Sequence, residues 1–335
     1  GAAGYVGSLL LKRIAEQRDQ FAEVVAFDIR PPSGVPEQAG IEVVTGDIRN
    51  DTLEQALRAH AVDTVVHLAS IVTPAKGMTR EFIHSVDVEG TRNVLRSCAD
   101  ANVKHVIVTS SGAAYGYHAD NPRPLFEDNA LRGNPEFAYS DHKRRVEEML
   151  AEFRAEHPEL RQLVLRVCTI IGEKTDNQIT DIFRKPFIAG VAGTETPFVF
   201  IWDQDLVACL LKGILESAEG VFNVAGDGQL TLRQIARLIG KPYLPIPPAV
   251  LRGALWLFHK AGLSQYGPEQ VNFLRYRPVL ANDRLKRVFG YSPRYSSRDA
   301  FENFMVTNLY PRNTGAGGKP PASTRRDPLP RDSRL

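Results

Sequence analysis

The 335-residue chain has only three cysteines, Cys98, Cys168 and Cys209, each in an apolar stretch and far from the others. This spacing argues against a disulfide framework or a cysteine metal cluster, so we expect core thiols and no bound metal. No apolar run approaches the length of a membrane span, which predicts no integral membrane segment and a cytoplasmic location. Lys and Arg total 41 against 39 Asp and Glu, and this balance gives no reason to expect a nucleic-acid partner.

The slight positive excess comes from the end of the chain. From Arg312 to Leu335 there are six Lys or Arg and two Asp or Glu, so the remaining residues carry a net charge of about −2. This segment is rich in Gly, Pro and Ser and has almost no apolar residue to bury, which is typical of disorder. We therefore predict a disordered basic tail over residues 311–335.

A glycine-rich turn opens the chain, Gly1-Ala-Ala-Gly4-Tyr-Val-Gly7, and runs directly into a helical pattern from Ser8. Glycines at such a turn let backbone N–H groups and the positive end of the helix dipole approach a pyrophosphate. A turn of this kind ordinarily follows a buried strand, so we expect the first strand to be missing from the chain as given. The glycine spacing alone is equally typical of ordinary turns, and its context decides.

An acidic residue follows the next apolar run, Val24-Val-Ala-Phe27. Asp28 lies roughly 20 residues beyond the glycines, where a Rossmann-type unit places a carboxylate that accepts hydrogen bonds from the adenosine ribose. A negative charge there would repel the 2′-phosphate of NADP, although Arg30 could offset part of the repulsion. Asp28 therefore favours NAD, and the alternative is a residue that merely ends a strand.

Strand-like and helix-like segments alternate along the first half of the chain. We predict strands over 24–27, 41–45, 64–69, 105–109 and 162–167, and helices over 51–61, 85–101 and 140–157. Helices of this length between strands require right-handed crossovers and a parallel sheet that is covered on both faces. The sequence predicts an α/β fold with a doubly wound, Rossmann-type sheet over 1–172. A smaller, mixed substrate-binding lobe is expected over 173–310, with some elements returning to the sheet.

Two further motifs carry chemistry. Ser110 and Ser111 follow the strand 105–109 and so lie at the carboxyl edge of the sheet, where open α/β folds bind ligands. Tyr139 and Lys143 are four residues apart, which places them on one face of a helix. An ammonium next to a phenol lowers the phenol pKa from about 10 toward the range of a base at neutral pH. By itself the pair is more typical of a core aromatic beside a solvated charge, but the other motifs reverse that balance.

With these motifs in this order, the chain resembles the extended short-chain dehydrogenases/reductases, which include NAD-dependent sugar-nucleotide epimerases and dehydratases and the 3β-hydroxysteroid dehydrogenases. The resemblance covers about residues 1–305 and also rests on Asp47-Ile48, His67-Leu-Ala69 and Tyr115-Gly116. It implies that Tyr139 is the catalytic acid/base, that Lys143 lowers its pKa and holds the nicotinamide ribose, and that Ser111 hydrogen-bonds the reacting oxygen. It also implies a small-molecule substrate and a homodimer.

The implied cofactor site draws on all of these motifs. Asp47 and Ile48 would flank the adenine, and residues 68–70 would line the cofactor channel. NAD would take a hydride from a carbinol carbon while Tyr139 takes the hydroxyl proton. The full set comprises Gly1, Gly4, Tyr5, Val6, Gly7, Asp28, Ile29, Arg30, Asp47, Ile48, Leu68, Ala69, Ser70, Ser110, Tyr139, Lys143, Val167 and Thr169.

Two departures from the family pattern touch the nicotinamide end of the implied site. Asp87 stands where the family usually has Asn before Val-x-Gly-Thr, and Val167-Cys168-Thr169 stands where it often has Pro-x-Asn. These changes bear on fine positioning rather than on the use of the cofactor.

A third departure concerns the substrate. Phe198 stands where many sugar-nucleotide enzymes carry an Arg that binds the diphosphate, and a diphosphate buried without a cation would be costly. Arg275 and Arg277 are the candidates to replace that Arg, although both could equally be solvated surface residues. Val72 and Ser111 complete the predicted substrate contacts.

Three functions remain open. An epimerase or dehydratase that acts on a nucleotide sugar is the leading interpretation. A dehydrogenase of an apolar alcohol, of the 3β-hydroxysteroid type, is favoured by Phe198, Trp202 and the apolar segment 249–258. The third is a non-catalytic NAD-binding regulator, although such relatives generally lose the Tyr or the Lys that this chain keeps.

Overall fold

The structure is a computed structural model that describes residues 1–34, 39–75, 77–261 and 267–310, so the predicted tail lies outside the described residues. The strands are β1 (Val25–Asp28), β2 (Glu42–Thr45), β3 (Thr64–His67), β4 (His105–Ser111), β5 (Arg161–Val167), β6 (Thr169–Ile171), β7 (Ile188–Val191), β8 (Pro197–Phe198), β9 (Phe200–Trp202), β10 (Gly220–Val224), β11 (Leu230–Thr231) and β12 (Tyr243–Ile246). The α-helices are α1 (Tyr5–Ala15), α2 (Thr52–Ala59), α3 (Arg80–His84), α4 (Gly90–Asp100), α5 (Ala138–Glu156), α6 (Gln178–Arg184), α7 (Asp203–Leu215), α8 (Leu232–Leu238), α9 (Pro248–Lys260), α10 (Gln270–Arg275), α11 (Asp283–Arg287) and α12 (Ser297–Phe304).

A parallel sheet in the order β10-β5-β4-β3 forms the centre of the molecule. A second parallel pair, β1 with β2, lies on the other side of the glycine turn. The turn connects the two sheets, because Ala2 N–H donates to the Phe27 carbonyl oxygen at 3.4 Å and Gly1 packs against Leu68 and Ala69. The predicted α/β fold with a parallel, Rossmann-type sheet is confirmed.

Helices cover both faces of the central sheet, as the apolar runs of β4 and β5 require. Successive residues of a strand point to opposite faces, so neighbouring positions enter different cores. One core joins the sheet to α1 and α7, and it contains Leu10, Ile14, Ile107, Leu163, Leu165, Leu206 and Leu210. The other core joins the sheet to α2, α4 and α5, and it contains Leu53, Leu57, Leu95, Val106, Val108, Val146, Leu150 and Val164.

The predicted helix over 85–101 differs from the structure in one instructive way. The helical segment begins five residues earlier, at α3, where the Thr79 hydroxyl accepts a hydrogen bond from Phe82 N–H at 3.2 Å and caps the helix. A π-helical turn over Ser85–Glu89 then joins α3 to α4. Asp87 and Val88 are buried in this wider turn. The hydrophobic periodicity of the sequence does not reveal the turn.

Part of the chain beyond residue 172 returns to the sheet, since β10 pairs with β5 in parallel. Most of the remainder surrounds a separate aromatic core made of Phe183, Phe198, Phe200, Phe301 and Phe304, all fully buried. Across the described residues, none of the helices is both long and apolar enough to cross a membrane.

Candidate active site

The glycine turn and the N-terminus of α1 form a cradle that fits an anion. A Cβ on Gly1 would collide with the backbone of Ala69, and one on Gly7 with the carbonyl oxygen of Gly1, so both positions require glycine. The first turn of α1 has no acidic residue, and within the described part of the chain the N–H groups of residues 5–7 have no hydrogen-bond acceptor. Free N–H groups at the positive end of a helix dipole bind phosphate groups, so the cradle fits the pyrophosphate of NAD.

Asp28 lies beside this cradle at the end of β1. Its carboxylate accepts hydrogen bonds from Ala3 N–H at 3.0 Å and from Arg30 N–H at 3.3 Å. Further along the same edge, the Asp47 carboxylate pairs with the Arg49 guanidinium at 2.6 Å, and this pair holds the pKa of Asp47 below its usual value. Acceptor groups next to a phosphate cradle suit the hydroxyls of the adenosine ribose.

Tyr5 connects the cradle to α7. Its hydroxyl donates to the Asp203 carboxylate at 2.5 Å and lies 3.0 Å from the Thr175 hydroxyl. Asp203 is buried at the first residue of α7, and burial raises its pKa. Tyr5 therefore holds the glycine turn against the first residue of α7.

Ser111 and Tyr139 are brought to one place by a short 3-10 turn at the carboxyl end of β4. The Ser111 hydroxyl accepts a hydrogen bond from Ala113 N–H at 3.1 Å and so fixes the start of this turn. Ser140, in the first turn of α5, donates to the Ala113 carbonyl oxygen at 2.7 Å. That bond anchors the helix residue next to Tyr139 against the turn that follows Ser111.

Lys143 lies one helical turn beyond Tyr139. Its ammonium donates to the Thr109 carbonyl oxygen at 3.0 Å and lies 5.8 Å from the centre of the Tyr139 ring. Burial raises the pKa of the Tyr139 phenol to about 12, and the Ser111 hydroxyl opposes the rise. In this structure burial therefore raises the phenol pKa, and the ammonium of Lys143 donates to Thr109 and not to the phenol.

Ser110 lies apart from this group although it is adjacent to Ser111. Its hydroxyl donates to the Glu147 carboxylate at 2.5 Å, and Glu147 pairs with Arg166 at 2.7 Å inside the protein. Because neighbouring strand residues face opposite ways, Ser110 enters this internal network while Ser111 meets Tyr139. The structure does not bring the Ser110 hydroxyl to the predicted cofactor site.

The predicted substrate residues lie in different surroundings. Phe198 is fully buried and stacks on Phe200 with ring centres 5.7 Å apart, so it is a core residue and not a pocket wall. The partly buried Arg277 has its guanidinium 4.1 Å from the centre of the Phe198 ring, and it donates to the Thr169 hydroxyl at 3.0 Å. Burial lowers the pKa of Arg277, and among the described residues no carboxylate pairs with it.

Other predicted residues lie further from this arrangement. Arg275 stacks on its neighbour Tyr276, with the guanidinium 4.8 Å from the ring centre. Ile29 and Val72 are exposed, at 69% and 60% of their surface. Val167 ends β5 in the core, beside the start of β6.

Two groups around Tyr139 and Lys143 do not stand out in the sequence as neighbours of this pair. Phe137 stacks on Phe273 with ring centres 4.4 Å apart, and Tyr117 meets Phe273 edge-on. Phe137 joins this cluster to Tyr139, with ring centres 6.2 Å apart. On the other side, a small cavity next to Lys143 is lined by His67, Ser70, Asp87, Thr109 and His142. The signal for this second group was the unusual Asp87, but its partner lies 55 residues away along the chain.

The sequence of this chain matches that of a known protein family. Residues 1–204 match the sequence profile of the NAD dependent epimerase/dehydratase family. An uncharacterized protein of Mycobacterium tuberculosis is 25% identical over 308 residues, which are 91% of this chain and 82% of that protein. The N-acetyl-alpha-D-glucosaminyl-diphospho-ditrans,octacis-undecaprenol 4-epimerase of Escherichia coli O157:H7 is 28% identical over 269 residues, 76% of each chain.

Solved structures of the same architecture are more distant in sequence. UDP-glucose 4-epimerase from Thermotoga maritima, determined with UDP-glucose, superimposes with a TM-score of 0.69 at 18% identity over 92% of this chain and 96% of that one. The dTDP-glucose 4,6-dehydratase of Bacillus anthracis, in complex with NAD, gives a TM-score of 0.69 at 15% identity over 93% and 96%. At these identities the likeness shows the fold, whereas the family profile covers more than half of the chain. The protein therefore belongs to the NAD dependent epimerase/dehydratase family, and its cofactor is NAD.

Proposed function

We propose that this protein is an epimerase or dehydratase of a sugar carried on a diphosphate, in the first instance a nucleotide sugar. The observation that carries the proposal is Arg277, a partly buried cation with no carboxylate partner among the described residues. Its hydrogen bond to Thr169 places it at the end of β5 and the start of β6, on the carboxyl side of the sheet. An unpaired guanidinium suits the bidentate recognition of a diphosphate.

The catalytic roles follow from the arrangement of three side chains. NAD, when bound, supplies hydride transfer at the carbinol carbon of the sugar. Tyr139 takes the hydroxyl proton of the substrate and returns it, while Ser111 hydrogen-bonds the same oxygen. The raised pKa of the phenol keeps Tyr139 protonated at rest, so a positive charge near it has to favour the phenolate before it can act as a base. Lys143 is the nearby cation of the chain, and it has to leave or share its bond to Thr109 to act in this way.

Two of the three features that favoured an apolar alcohol are core residues. Phe198 is fully buried and Trp202 is 8% exposed, and both belong to the aromatic core that contains Phe183 and Phe301. Their apolar character is explained by packing, which removes that support for a steroid-like substrate. The relatives named above that carry an activity in their names act on sugars joined to a diphosphate, which supports the same substrate class here.

The test is an assay of UDP- and dTDP-linked sugars with NAD, in which sugar products are analysed for inverted stereochemistry and NADH is followed at 340 nm. We expect turnover without net NADH, abolished by Tyr139→Phe. Arg277→Met should raise KM, whereas Arg275→Met is a matched control that should leave KM unchanged. Net NADH formation from an apolar alcohol, with no reaction of any sugar, would refute the proposal.

Three finer expectations stay predictions. The division into lobes at residue 172, the homodimer and the cytoplasmic location are expected from the sequence and the resemblance. Sedimentation equilibrium of the purified protein tests the dimer directly.

A further inference from the structure

A buried acid contacts a buried imidazole of α5, the helix that carries Tyr139 and Lys143. Asp87 is 4% exposed and His142 is 1% exposed. The Asp87 Oδ2 atom lies 3.1 Å from His142 Nδ1. A carboxylate can only accept hydrogen bonds, so Nδ1 of His142 must carry a proton and donate it. Asp87 therefore fixes both the tautomer and the orientation of the ring that precedes Lys143.

The second oxygen of Asp87 holds another part of the site. Oδ1 accepts hydrogen bonds from Ile71 N–H at 2.8 Å and from the Ser70 hydroxyl at 3.1 Å. One carboxylate thus joins the loop after β3, the π-helical turn that carries Asp87, and α5. Asn in this position would offer one acceptor and one donor group, and it could not satisfy the donors on both sides while His142 keeps its Nδ1 proton.

The charge of Asp87 also reaches the catalytic pair. Burial lowers the pKa of Lys143 and raises that of Tyr139, and the Asp87 carboxylate acts to raise the pKa of both groups. Other titratable groups around the pair are His67 on β3 and His84 on α3, whose ring meets that of His142 edge-on with centres 5.3 Å apart. On α5, Glu147 acts on Lys143 in the same direction as Asp87.

Asp141 is the remaining acid on this part of α5, and its surroundings differ. It is as buried as Asp87, but it pairs with the arginines Arg80, Arg144 and Arg145 at 3.0 to 3.4 Å. These arginines neutralise its charge away from the cavity, so Asp141 offers a matched control for the loss of a buried carboxylate.

We propose that Asp87 and His142 form a positioning pair for the active site, in which the carboxylate locks the Ser70–Ile71 loop to α5 and supplies the negative charge that faces Lys143. The pair is distinct from the groups that touch the substrate, and its catalytic consequences rest on the proposed function. Its structural part does not, because the hydrogen bond between the two side chains can be observed in the protein alone.

The experiment compares Asp87→Asn, His142→Asn and Asp141→Asn with the parent protein. In the protein alone, proton NMR should show a low-field imidazole N–H resonance that both Asp87→Asn and His142→Asn abolish and Asp141→Asn retains. NADH binding, followed by fluorescence, should weaken about tenfold or more in Asp87→Asn, since the loop that lines the cofactor channel is released. Asp141→Asn should lower stability but leave NADH binding unchanged.

The pH profile of kcat/KM separates the charge from the positioning. Asp87→Asn removes a negative charge beside Tyr139, so the acid limb of the profile should move to lower pH. His142→Asn keeps the carboxylate, and it should lower kcat/KM without moving that limb in the same direction. Should the Asp87→Asn variant fail to fold, the His142→Asn variant still tests the N–H resonance and the loss of kcat/KM.

The proposal is overturned if the low-field resonance persists in Asp87→Asn, or if Asp87→Asn matches Asp141→Asn in NADH binding and pH profile. A parent protein that binds NADH and shows the resonance but converts no sugar would contradict the proposed function and leave the pair intact.

Discussion

Replacement of two arginines by Met should have very different effects on stability. Arg166 is 6% exposed, pairs with Glu147 at 2.7 Å and donates to the Tyr115 hydroxyl at 2.8 Å. Arg166→Met leaves the Glu147 carboxylate buried without its cation. Breaking a buried ion pair in this way costs about 3–5 kcal/mol of the free energy of unfolding.

Arg277→Met removes a cation that pairs with no carboxylate in the part of the chain that the structure describes. The variant loses one hydrogen bond to Thr169, about 1 kcal/mol, and the contact of the guanidinium with the Phe198 ring, about 0.5–2 kcal/mol. The substitution also removes the free-energy cost of holding a charge partly out of water, and this gain offsets losses of that size. The free energy of unfolding should therefore change by no more than about 1 kcal/mol. Binding of UDP should weaken by about 1.5–3 kcal/mol, or about 10- to 150-fold in Kd, because a charge-assisted hydrogen bond is lost.

Urea unfolding of both variants and calorimetric titration of UDP measure these two quantities. We expect a large loss of stability in Arg166→Met alone and a large loss of UDP affinity in Arg277→Met. If Arg277→Met lost as much stability as Arg166→Met, or if it bound UDP like the parent, the assignment of Arg277 to a diphosphate would be wrong.

Three further results are expected. Burial lowers the pKa of His67 to about 3, so its contribution to stability is present above pH 6.5 and is lost as the pH falls toward 3. Urea unfolding should show that this contribution lowers the free energy of unfolding by about 2 kcal/mol between pH 7 and pH 5, and that His67→Asn lacks this decrease. Gly7→Ala should abolish NADH binding measured by fluorescence, because its Cβ would collide with the carbonyl oxygen of Gly1; unchanged binding would contradict the cradle. Ser111→Ala removes the hydroxyl that acts to lower the pKa of Tyr139, so the acid limb of the kcat/KM profile should move to higher pH, with kcat reduced about 10- to 100-fold.

The parts of the fold that the sequence could predict are those set by local pattern. The strands of the central sheet are apolar runs of the right length, and the cradle is marked by glycines at Gly1 and Gly7, where a Cβ has no space. Tyr139 and Lys143 share a helix face, and four residues of separation are enough to place them together. In each case the residues that define the feature lie within a few positions of one another.

What the sequence could not predict depends on contacts between distant segments. Asp87 and His142 are brought together by a π-helical turn that no periodicity marks. Ser110 and Ser111 looked equivalent, yet the strand turns their hydroxyls to opposite faces, and only the position of Glu147 shows where Ser110 goes. Phe198 stands at the position of a substrate residue in the family pattern, but it lies inside the aromatic core that contains Phe183, Phe200, Phe301 and Phe304.

The charged side chains named above differ in the partners that compensate their charges. Glu147 pairs with Arg166, Asp141 with three arginines, and Asp87 with His142, as expected because an unpaired buried charge is costly. Lys143 and Arg277 differ, since one donates to a carbonyl oxygen and the other to a hydroxyl. Asp87 and Glu147 face Lys143, but among the described residues neither forms an ion pair with it, and neutral acceptors compensate a cation less well than a paired carboxylate does, so both positions reduce the stability of the free protein. Such a cost is expected where a ligand supplies the missing partner: the diphosphate of the proposed substrate brings negative charge to Arg277, and the ribose hydroxyls of NAD offer neutral acceptors to Lys143.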